Sequence, residues 1–232
     1  MREQDKIDAL IHNRPEAADL YRKITEKQWT VYYYLLSVSI FNSKDSEDHR
    51  FVYKSSINIS SVSKNLGVAR STFYAAIDKL EKVKLLKQYN DYYTLKIPGH
   101  YAEISRKLLS QLLSFRKTLT VDLLRTYLFF AATFRLHKGK EFTKRNIIRC
   151  LGYPDNVSEY YKKMETYIDL LHYWNLIDYT SRVEQTELGT CRLYKIKNIN
   201  TSSNILDNRV ETDELGVENF GLTPEEEQLI KI

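Results

Sequence analysis

The chain has 232 residues, enough for one large domain or for two domains of about 100 residues each. A hydrophobic fraction of 43% is ordinary for a globular protein, whereas only 7 glycines and 4 prolines argue against a β-sandwich, a barrel or a glycine-lined nucleotide site. The net charge of +5 is unevenly distributed along the chain: residues 49–150 contain 20 basic and 6 acidic side chains, whereas residues 201–232 contain 2 basic and 8 acidic ones. The basic region suits a polyanionic partner such as nucleic acid.

The first 26 residues predict a charged helical arm, because Ile7, Leu10 and Ile11 recur at a spacing of three or four. Thr25 then stands three residues before Gln28, a spacing that predicts a capping box at the start of the next helix. That helix is apolar on nearly every face over about 26–41, which indicates a buried central helix.

The most informative segment is 65–80, which predicts a short helix that closes at Leu66-Gly67, a tight turn, and a second helix that begins at Arg70. Small polar and basic residues stand at the front of this second helix, and an apolar stripe that includes Phe73 and Ile77 runs behind them. A helix-turn-helix has this pattern when its second helix packs on a core and presents its front end to DNA.

A β-hairpin is predicted directly after these two helices. Two alternating runs, 85–89 and 92–97, are joined by the turn-forming pair Asn90-Asp91. A helix-turn-helix followed by such a hairpin is a winged helix, so residues 27–99 are predicted to form a first winged-helix domain. A helix over about 101–114 then marks a linker, 100–118.

A weaker copy of this plan follows over 119–199, which we predict to be a second winged-helix domain. Its long apolar helix, 121–136, is followed by a helix over 142–151 and a second candidate recognition helix over 157–174. A longer wing is expected around 181–190. The predicted fold class is therefore mainly α with small β wings (α+β), with two tandem winged-helix domains.

Residues 200–232 change to Asn, Thr, Ser and acidic residues, which predicts a flexible acidic tail. The end of this tail, from Thr223, carries a helix-start signature and some apolar residues, so it is read either as a disordered end or as a docking peptide for a protein partner.

No catalytic pattern stands out in the chain. A phosphate-binding glycine loop is missing, the five histidines lack the spacing of a metalloprotease helix, and no serine or cysteine stands in a nucleophile-elbow context. A tyrosine nucleophile that cuts DNA would need metal-binding or arginine partners that the spacing does not show. We therefore expect a protein that is not an enzyme and that has no cofactor.

The two cysteines, Cys150 and Cys191, have no partner spacing for zinc, and the charged N-terminus shows no signal-peptide pattern. A reduced, cytoplasmic protein without a metal site is the simplest interpretation. The longest apolar run, 31–40, is too short to span a bilayer, so no membrane partner is expected.

DNA binding, in contrast, has a concrete mechanism, because helix N-termini favour phosphate and a side chain one turn in can reach base edges in the major groove. The candidate contacts of the first domain lie at the front of the second helix and just before the turn: Lys64, Asn65, Arg70, Ser71, Thr72, Tyr74 and Lys79. For Tyr74, partial burial is as good an interpretation as DNA contact. For Lys79, a position on a solvated face is equally good.

The second domain has a basic cluster before its recognition helix and a more mixed front. Its candidate contacts are Lys144, Arg145, Arg149, Asn156, Ser158, Tyr161, Lys162 and Arg182. Glu159 near the front of this helix is unfavourable to phosphate, so dimerisation or packing is the alternative role for this domain.

A family resemblance arises from the run 66–74 followed by 80–86, which resembles the helix-turn-helix and wing entry of bacterial winged-helix regulators. Two winged helices over about 25–199 are similar to plasmid replication initiators. That resemblance implies that one domain supports dimerisation while both can contact repeated origin sequences, so double-stranded DNA is the expected partner and a homodimer is left open.

Three functions therefore remain open. The first is sequence-specific recognition of double-stranded DNA in replication initiation of a plasmid or other mobile element. The second is transcriptional regulation with the same tandem fold, and the third is a tandem winged-helix scaffold that binds protein. The basic region 49–150 argues against the scaffold, which has no need of charge that matches phosphate.

Overall fold

The computed structural model describes residues 6–10, 24–41, 50–96, 101–114, 121–136, 139–186, 189–201 and Gln228. Within these residues the chain forms 7 α-helices and three small antiparallel sheets, so the predicted α+β class is confirmed. The acidic tail predicted over 200–232 lies almost wholly outside the described residues.

The first half of the described chain alternates helices with short strands. In chain order its elements are β1 (Lys6–Leu10), α1 (Glu26–Val38), β2 (Ile40–Phe41), β3 (Arg50–Tyr53), a 3₁₀ turn (Lys54–Ser56), α2 (Ile59–Leu66), α3 (Arg70–Lys82), β4 (Leu86–Gln88) and β5 (Tyr92–Leu95). The strands after β1 form one antiparallel sheet in the order β2-β3-β5-β4, so the hairpin β4-β5 is joined to the rest through β5.

Helix α1 is the central helix of this half, as its sequence predicts. The capping box is confirmed, since the backbone N–H of Thr25 donates to Gln28 Oε1 at 2.9 Å and the N–H of Gln28 donates to Thr25 Oγ1 at 3.4 Å. Trp29 and Leu35 are among the fully buried residues on several faces of the helix. Because α1 contacts α3, β1 and β3, it has no broad solvent face.

The second half contains the same succession of a long helix, a strand, two helices and a hairpin, preceded by a strand and a short helix. It contains β6 (Tyr101–Ser105), α4 (Arg106–Ser114), α5 (Asp122–Leu136), β7 (Glu141–Thr143), α6 (Lys144–Cys150), α7 (Ser158–Tyr173), β8 (Ile177–Thr186) and β9 (Gly189–Ile199). The sheet order β7-β9-β8 matches β3-β5-β4 of the first half, with the last strand in the middle. Helix α5 is buried in the manner of α1 and contacts α6, α7 and β9.

Helices α3 and α7 end in the same way, in a Schellman motif followed by a buried leucine. In the first half, the N–H of Lys84 donates to the carbonyl of Glu81 and that of Leu85 donates to the carbonyl of Leu80. Asn175 and Leu176 repeat these two bonds after α7. Lys84 and Asn175 both have positive φ, 61° and 55°, a conformation that non-glycine residues rarely adopt.

Two helix predictions around the linker are wrong. The arm predicted as helical contains strand β1, and the first five residues of the predicted helix 101–114 form strand β6, which pairs with β1 in antiparallel register from Lys6↔Ser105 to Leu10↔Tyr101. Each segment supplies the hydrogen-bond partners of the other across the 90 residues that separate them, and tertiary pairing of this kind overrides local periodicity. Ser105 then caps α4, because its Oγ accepts a hydrogen bond from the N–H of Leu108 at 3.1 Å.

The second half also differs from its prediction at two places. Residues 141–143 form strand β7 rather than part of a helix over 142–151, because they pair with β9, and Thr143 instead caps α6 with Asn146 in a capping box. The predicted wing loop around 181–190 is mostly strand, since β8 and β9 stay paired as far as Thr186↔Gly189.

A buried ionic cluster lies at the start of α5; we name Asp122, Arg125, Tyr153 and Lys163 the Asp122 cluster. Asp122 is fully buried, and its carboxylate accepts from Arg125 at 2.9 Å, from the Tyr153 hydroxyl at 2.6 Å and from Lys163 Nζ at 3.0 Å. Burial alone would raise the pKa of Asp122, but the positive charges of Arg125 and Lys163 outweigh it and hold this pKa below its usual value.

The Asp122 cluster also connects the two halves. The Arg125 guanidinium lies 5.0 Å from the ring centroid of Trp29 on α1 and donates to the carbonyl of Leu151 at 2.7 Å. Helix α4 packs against both α1 and α5, and Arg106 at its start donates to the carbonyls of Ser37 and Ser39 at the end of α1. The two halves therefore meet through charged and polar contacts as well as apolar ones.

We expect Asp122→Asn to lower the free energy of unfolding by about 3–5 kcal/mol, because it leaves two cations without their buried counter-charge. The folded-state pKa of Asp122 is lowered, so its contribution is complete above the unfolded pKa of about 3.9 and is lost as pH falls through the folded value. Urea unfolding followed by circular dichroism at neutral pH and at falling pH measures both effects.

Asp155→Asn is the matched control, because Asp155 also pairs with two cations, here Arg145 and Arg149, but its side chain is 22% exposed, against 1% for Asp122. Its urea midpoint should change little. An Asp122→Asn protein that unfolds at the wild-type midpoint would show that the cluster does not stabilise the fold.

Candidate nucleic-acid interface

The turn between α2 and α3 is built from local signals that the sequence contains. Asn58 caps α2, since its Oδ1 accepts from the N–H of Ser61 at 3.0 Å, and Gly67 ends the helix in the left-handed region with φ 58°. An L side chain at this φ would be strained, which explains the glycine. Val68 is buried in the turn, and Ala69 then precedes the first residue of α3.

Helix α3 divides into a buried face and an exposed front. Phe73, Ala76, Ile77 and Leu80 are buried, in agreement with the predicted apolar stripe. At the front, Arg70, Ser71 and Tyr74 are exposed, whereas Thr72 is half-buried. Lys79 is half-buried further along, and Lys64 and Asn65 are exposed at the end of α2. The predicted contacts of the first half, except Lys79, therefore lie at the end of the helix pair that contains the turn.

The N-terminal amides of α3 have no side-chain cap. Ala69 stands at the cap position, and the first turn contains no acidic residue. Helices α1, α2 and α6, in contrast, are each capped by a side chain from Thr25, Asn58 and Thr143. Uncapped first-turn N–H groups are unpaired donors with partial positive charge, and they suit water or an anion such as phosphate.

The basic side chains of this front are not neutralised by neighbouring acids. Within the described part of the chain, no carboxylate lies within the 4.0 Å ion-pair distance of Lys64, Arg70 or Lys79. The Arg70 guanidinium lies 5.9 Å from the ring centroid of Tyr74, so these two side chains form one exposed patch. Asn65 Nδ2 donates to Ser61 Oγ at 3.1 Å, within α2 itself.

The acidic residues of α3 face the hairpin instead. Glu81 accepts from the backbone N–H of Gln88 at 2.9 Å and from its Nε2 at 2.8 Å. These hydrogen bonds lower the pKa of Glu81 and attach α3 to strand β4. Asp78 is the next acid toward the front and lies 3.4 Å from Gln88 Nε2. The negative charge of α3 is thus kept on the side of the hairpin.

The corresponding surface of the second half is different, because its basic residues are paired with carboxylates. Arg149 lies 2.7 Å from Asp155, and Arg145 also donates to Asp155. The hydrogen bond from Arg145 is the main cause that lowers the pKa of Asp155. The other two pairs are Lys144–Glu165 at 3.0 Å and Arg182–Glu141 at 2.7 Å. The four basic candidate contacts of the second half that lie outside α7 are therefore all paired with a carboxylate.

The other candidates of the second half are polar and mostly exposed. Asn156, Ser158 and Lys162 are exposed, and Tyr161 is half-buried with its hydroxyl donating to the carbonyl of Asp155 at 2.9 Å. The carboxylate partners were missed by sequence reasoning. Gly152 could have indicated the pairing of Asp155, because a glycine with positive φ after α6 marks a turn, and Asp155 is the first acidic residue after that turn.

Other kinds of site find no support among the described residues. These residues contain no group of three or more His, Cys, Asp or Glu side chains that could hold a metal ion, and none of their helices has the length and apolar character needed to cross a membrane. Cys150 is buried, which raises the pKa of its thiol to about 11, so it is not a nucleophile at neutral pH.

The pairing in the second half can be tested with Asp155→Asn, which removes the carboxylate shared by Arg145 and Arg149. With both guanidinium groups released, affinity for random-sequence duplex should rise, and the slope of log affinity against log salt should steepen by roughly 2, close to one per added phosphate contact. Fluorescence anisotropy over a salt series measures this change.

Asp178→Asn changes the formal charge equally at an exposed position of the same half and is the control. An equal rise in both variants would mean that net charge alone, and not the release of the two arginines, is responsible.

Comparison of the chain with protein-family models, with curated proteins and with solved structures gives no match. The function is therefore inferred from the element order, the geometry and the charges described above.

Proposed function

We propose that the protein is a non-enzymatic, sequence-specific binder of double-stranded DNA with two tandem winged-helix domains, over 27–99 and 119–199. The repeated order of helix, strand, two helices and hairpin supports this assignment, as does the strand order with the last strand central in each sheet. A role in replication initiation of a plasmid or other mobile element is the activity that we favour, and it places the protein in the cytoplasm.

The observation that carries the proposal is the front of α3, where an uncapped helix start lies beside basic side chains that no described carboxylate neutralises. A helix that enters the major groove needs this combination, because phosphates flank the groove and base edges line its floor. If carboxylates were paired with these basic side chains, they would have to be displaced before phosphate could bind.

Each residue of this front has a role in the proposed complex. Arg70 is at the first position of α3 and reads a base edge, while Ser71 and Thr72 donate to phosphate together with the first-turn amides. Lys64 and Asn65 bind the backbone from the preceding helix. Tyr74 lies one turn beyond Arg70 on the same side of α3 and extends the contact, whereas Lys79 lies further along the helix and contacts phosphate there.

The second domain has a smaller part in DNA binding in this proposal. Its candidate cations other than Lys162 are paired with Asp155, Glu165 or Glu141, so these cations bind phosphate only after exchange of partners. The same pairing leaves a surface with little net charge, which favours contact with a second copy of the chain. The first domain therefore supplies most of the sequence discrimination.

Salt dependence is the first test of DNA binding. With about six phosphate contacts, affinity for duplex DNA should fall about 10³-fold between 50 and 200 mM salt, because each contact releases condensed counterions. Anisotropy of a labelled random duplex measures this directly. Affinity that does not change with salt, or no binding at all, would contradict the proposal.

The role of Arg70 is tested with Arg70→Ala on a site selected by the protein from a random pool, whose half-site spacing also reports the oligomeric state. We expect a loss of about 1–3 kcal/mol on the selected site and a much smaller loss on random duplex. Lys27→Ala, an exposed position on α1 with the same charge change, is the control. Equal losses on all sequences would make Arg70 a phosphate contact.

A further inference from the structure

The outer face of the first sheet carries a continuous group of aromatic rings. The pairing Tyr53↔Tyr92 places these two side chains on the same face, and the ring centroids lie 6.4 Å apart. Tyr92 also lies 5.6 Å from Phe51 and 4.7 Å from Tyr89, with the Tyr89 ring nearly parallel at 16°. We name Phe51, Tyr53, Tyr89 and Tyr92 the aromatic face.

The aromatic face is not part of the core. Tyr53 is 51% and Tyr89 is 37% exposed, while Val52 and Tyr93, on the opposite side of the same strands, are 1% and 4% exposed. The inner side packs on α1, so the aromatic face points away from the helices. A contiguous exposed cluster of large rings is uncommon on a surface without a binding role.

We propose that the aromatic face binds single-stranded nucleic acid, with bases stacked on Tyr53, Tyr89 and Tyr92. Ring planes exposed on a sheet stack bases in single-strand-binding modules, and the interaction tolerates any sequence because every base has a π face. This site is separate from the duplex-binding front of α3 and goes beyond the proposed function.

The charges around the face favour nucleic acid over a second copy of the chain. Lys87 on β4 lies with its Nζ 4.9 Å from the Tyr89 ring, whereas the ammonium of Lys54 lies 5.0 Å from the ring of Tyr93, on the opposite side of the sheet. The side chains that the strand register places on this face are apolar, aromatic, hydroxyl-bearing or basic, while Asp91 lies in the turn at the tip of the hairpin. Two such faces brought together would place basic residues near one another, whereas a phosphate backbone complements them.

The aromatic face lies on a different side of the first half from the α3 front. Glu81 joins α3 to β4 through Gln88, so the aromatic face and the α3 front belong to one unit and occupy different sides of it. A duplex bound at α3 leaves the outer sheet free, and an unpaired strand can bind there independently.

The test uses the full chain, a labelled oligothymidylate of about 15 nucleotides and a labelled random duplex. In the double variant Tyr53→Leu, Tyr89→Leu, affinity for the oligothymidylate should fall by about 10-fold or more, because two stacking rings are lost. Tyr53→Phe, Tyr89→Phe keeps the rings and should bind as wild type does. Tyr173→Leu is the matched control, since Tyr173 is 52% exposed on α7, away from this face.

Duplex affinity separates this proposal from the previous one. Duplex affinity should be the same in the leucine variant as in the wild type, and this result would also show that the first half of the variant is folded. Conversely, Arg70→Ala should leave oligothymidylate affinity unchanged. Failure to bind the oligothymidylate, or an equal loss in Tyr173→Leu, would overturn the single-strand site. The single-strand site would also be overturned if sedimentation showed that the wild type is a dimer and the leucine variant a monomer, while both bind the oligothymidylate equally well.

Discussion

The buried carboxylate of Asp122 is the contact that holds the helices of the second half together, and its partner Arg125 provides a link to the first half. A charge this far from water is tolerated only when its partners are all present, and these come from α5, from the turn after α6 and from α7. Arg125 extends the cluster to Trp29 of α1 and to the carbonyl of Leu151. Displacing α1 from α5 would remove the Trp29 ring from the Arg125 guanidinium, so this cation–π contact favours one relative placement of the two helices.

Local sequence signals predicted the elements that depend on neighbouring residues. The capping box at Thr25, the helix end at Gly67 and the extent of α3 are of this kind, because each involves positions within a few residues. Strands β1, β6 and β7 were missed because their hydrogen bonds come from distant segments. The α3 front was predicted from its own residues, whereas the neutralisation of Arg145 and Arg149 depends on a fold-back at Gly152 that composition does not report.

The position of each hairpin relative to its helix is the constraint shared by the two halves. Lys84 and Asn175 accept an unfavourable positive φ at the same place, directly after the last turn of α3 and α7. The two hydrogen bonds of each motif and the buried Leu85 and Leu176 explain why this conformation is retained.

Because the backbone plan is shared, the difference between the halves lies in side-chain charge. The front of α3 combines Arg70 and Lys64 with uncapped amides, and its acids are drawn toward the hairpin by Gln88. The start of α7 is also uncapped, at Val157, but its first turn contains Glu159 and the preceding arginines are bound to Asp155. Two helices at corresponding positions thus present different electrostatic conditions to an anion, and this contrast is the physical basis of the proposal that the first half recognises DNA.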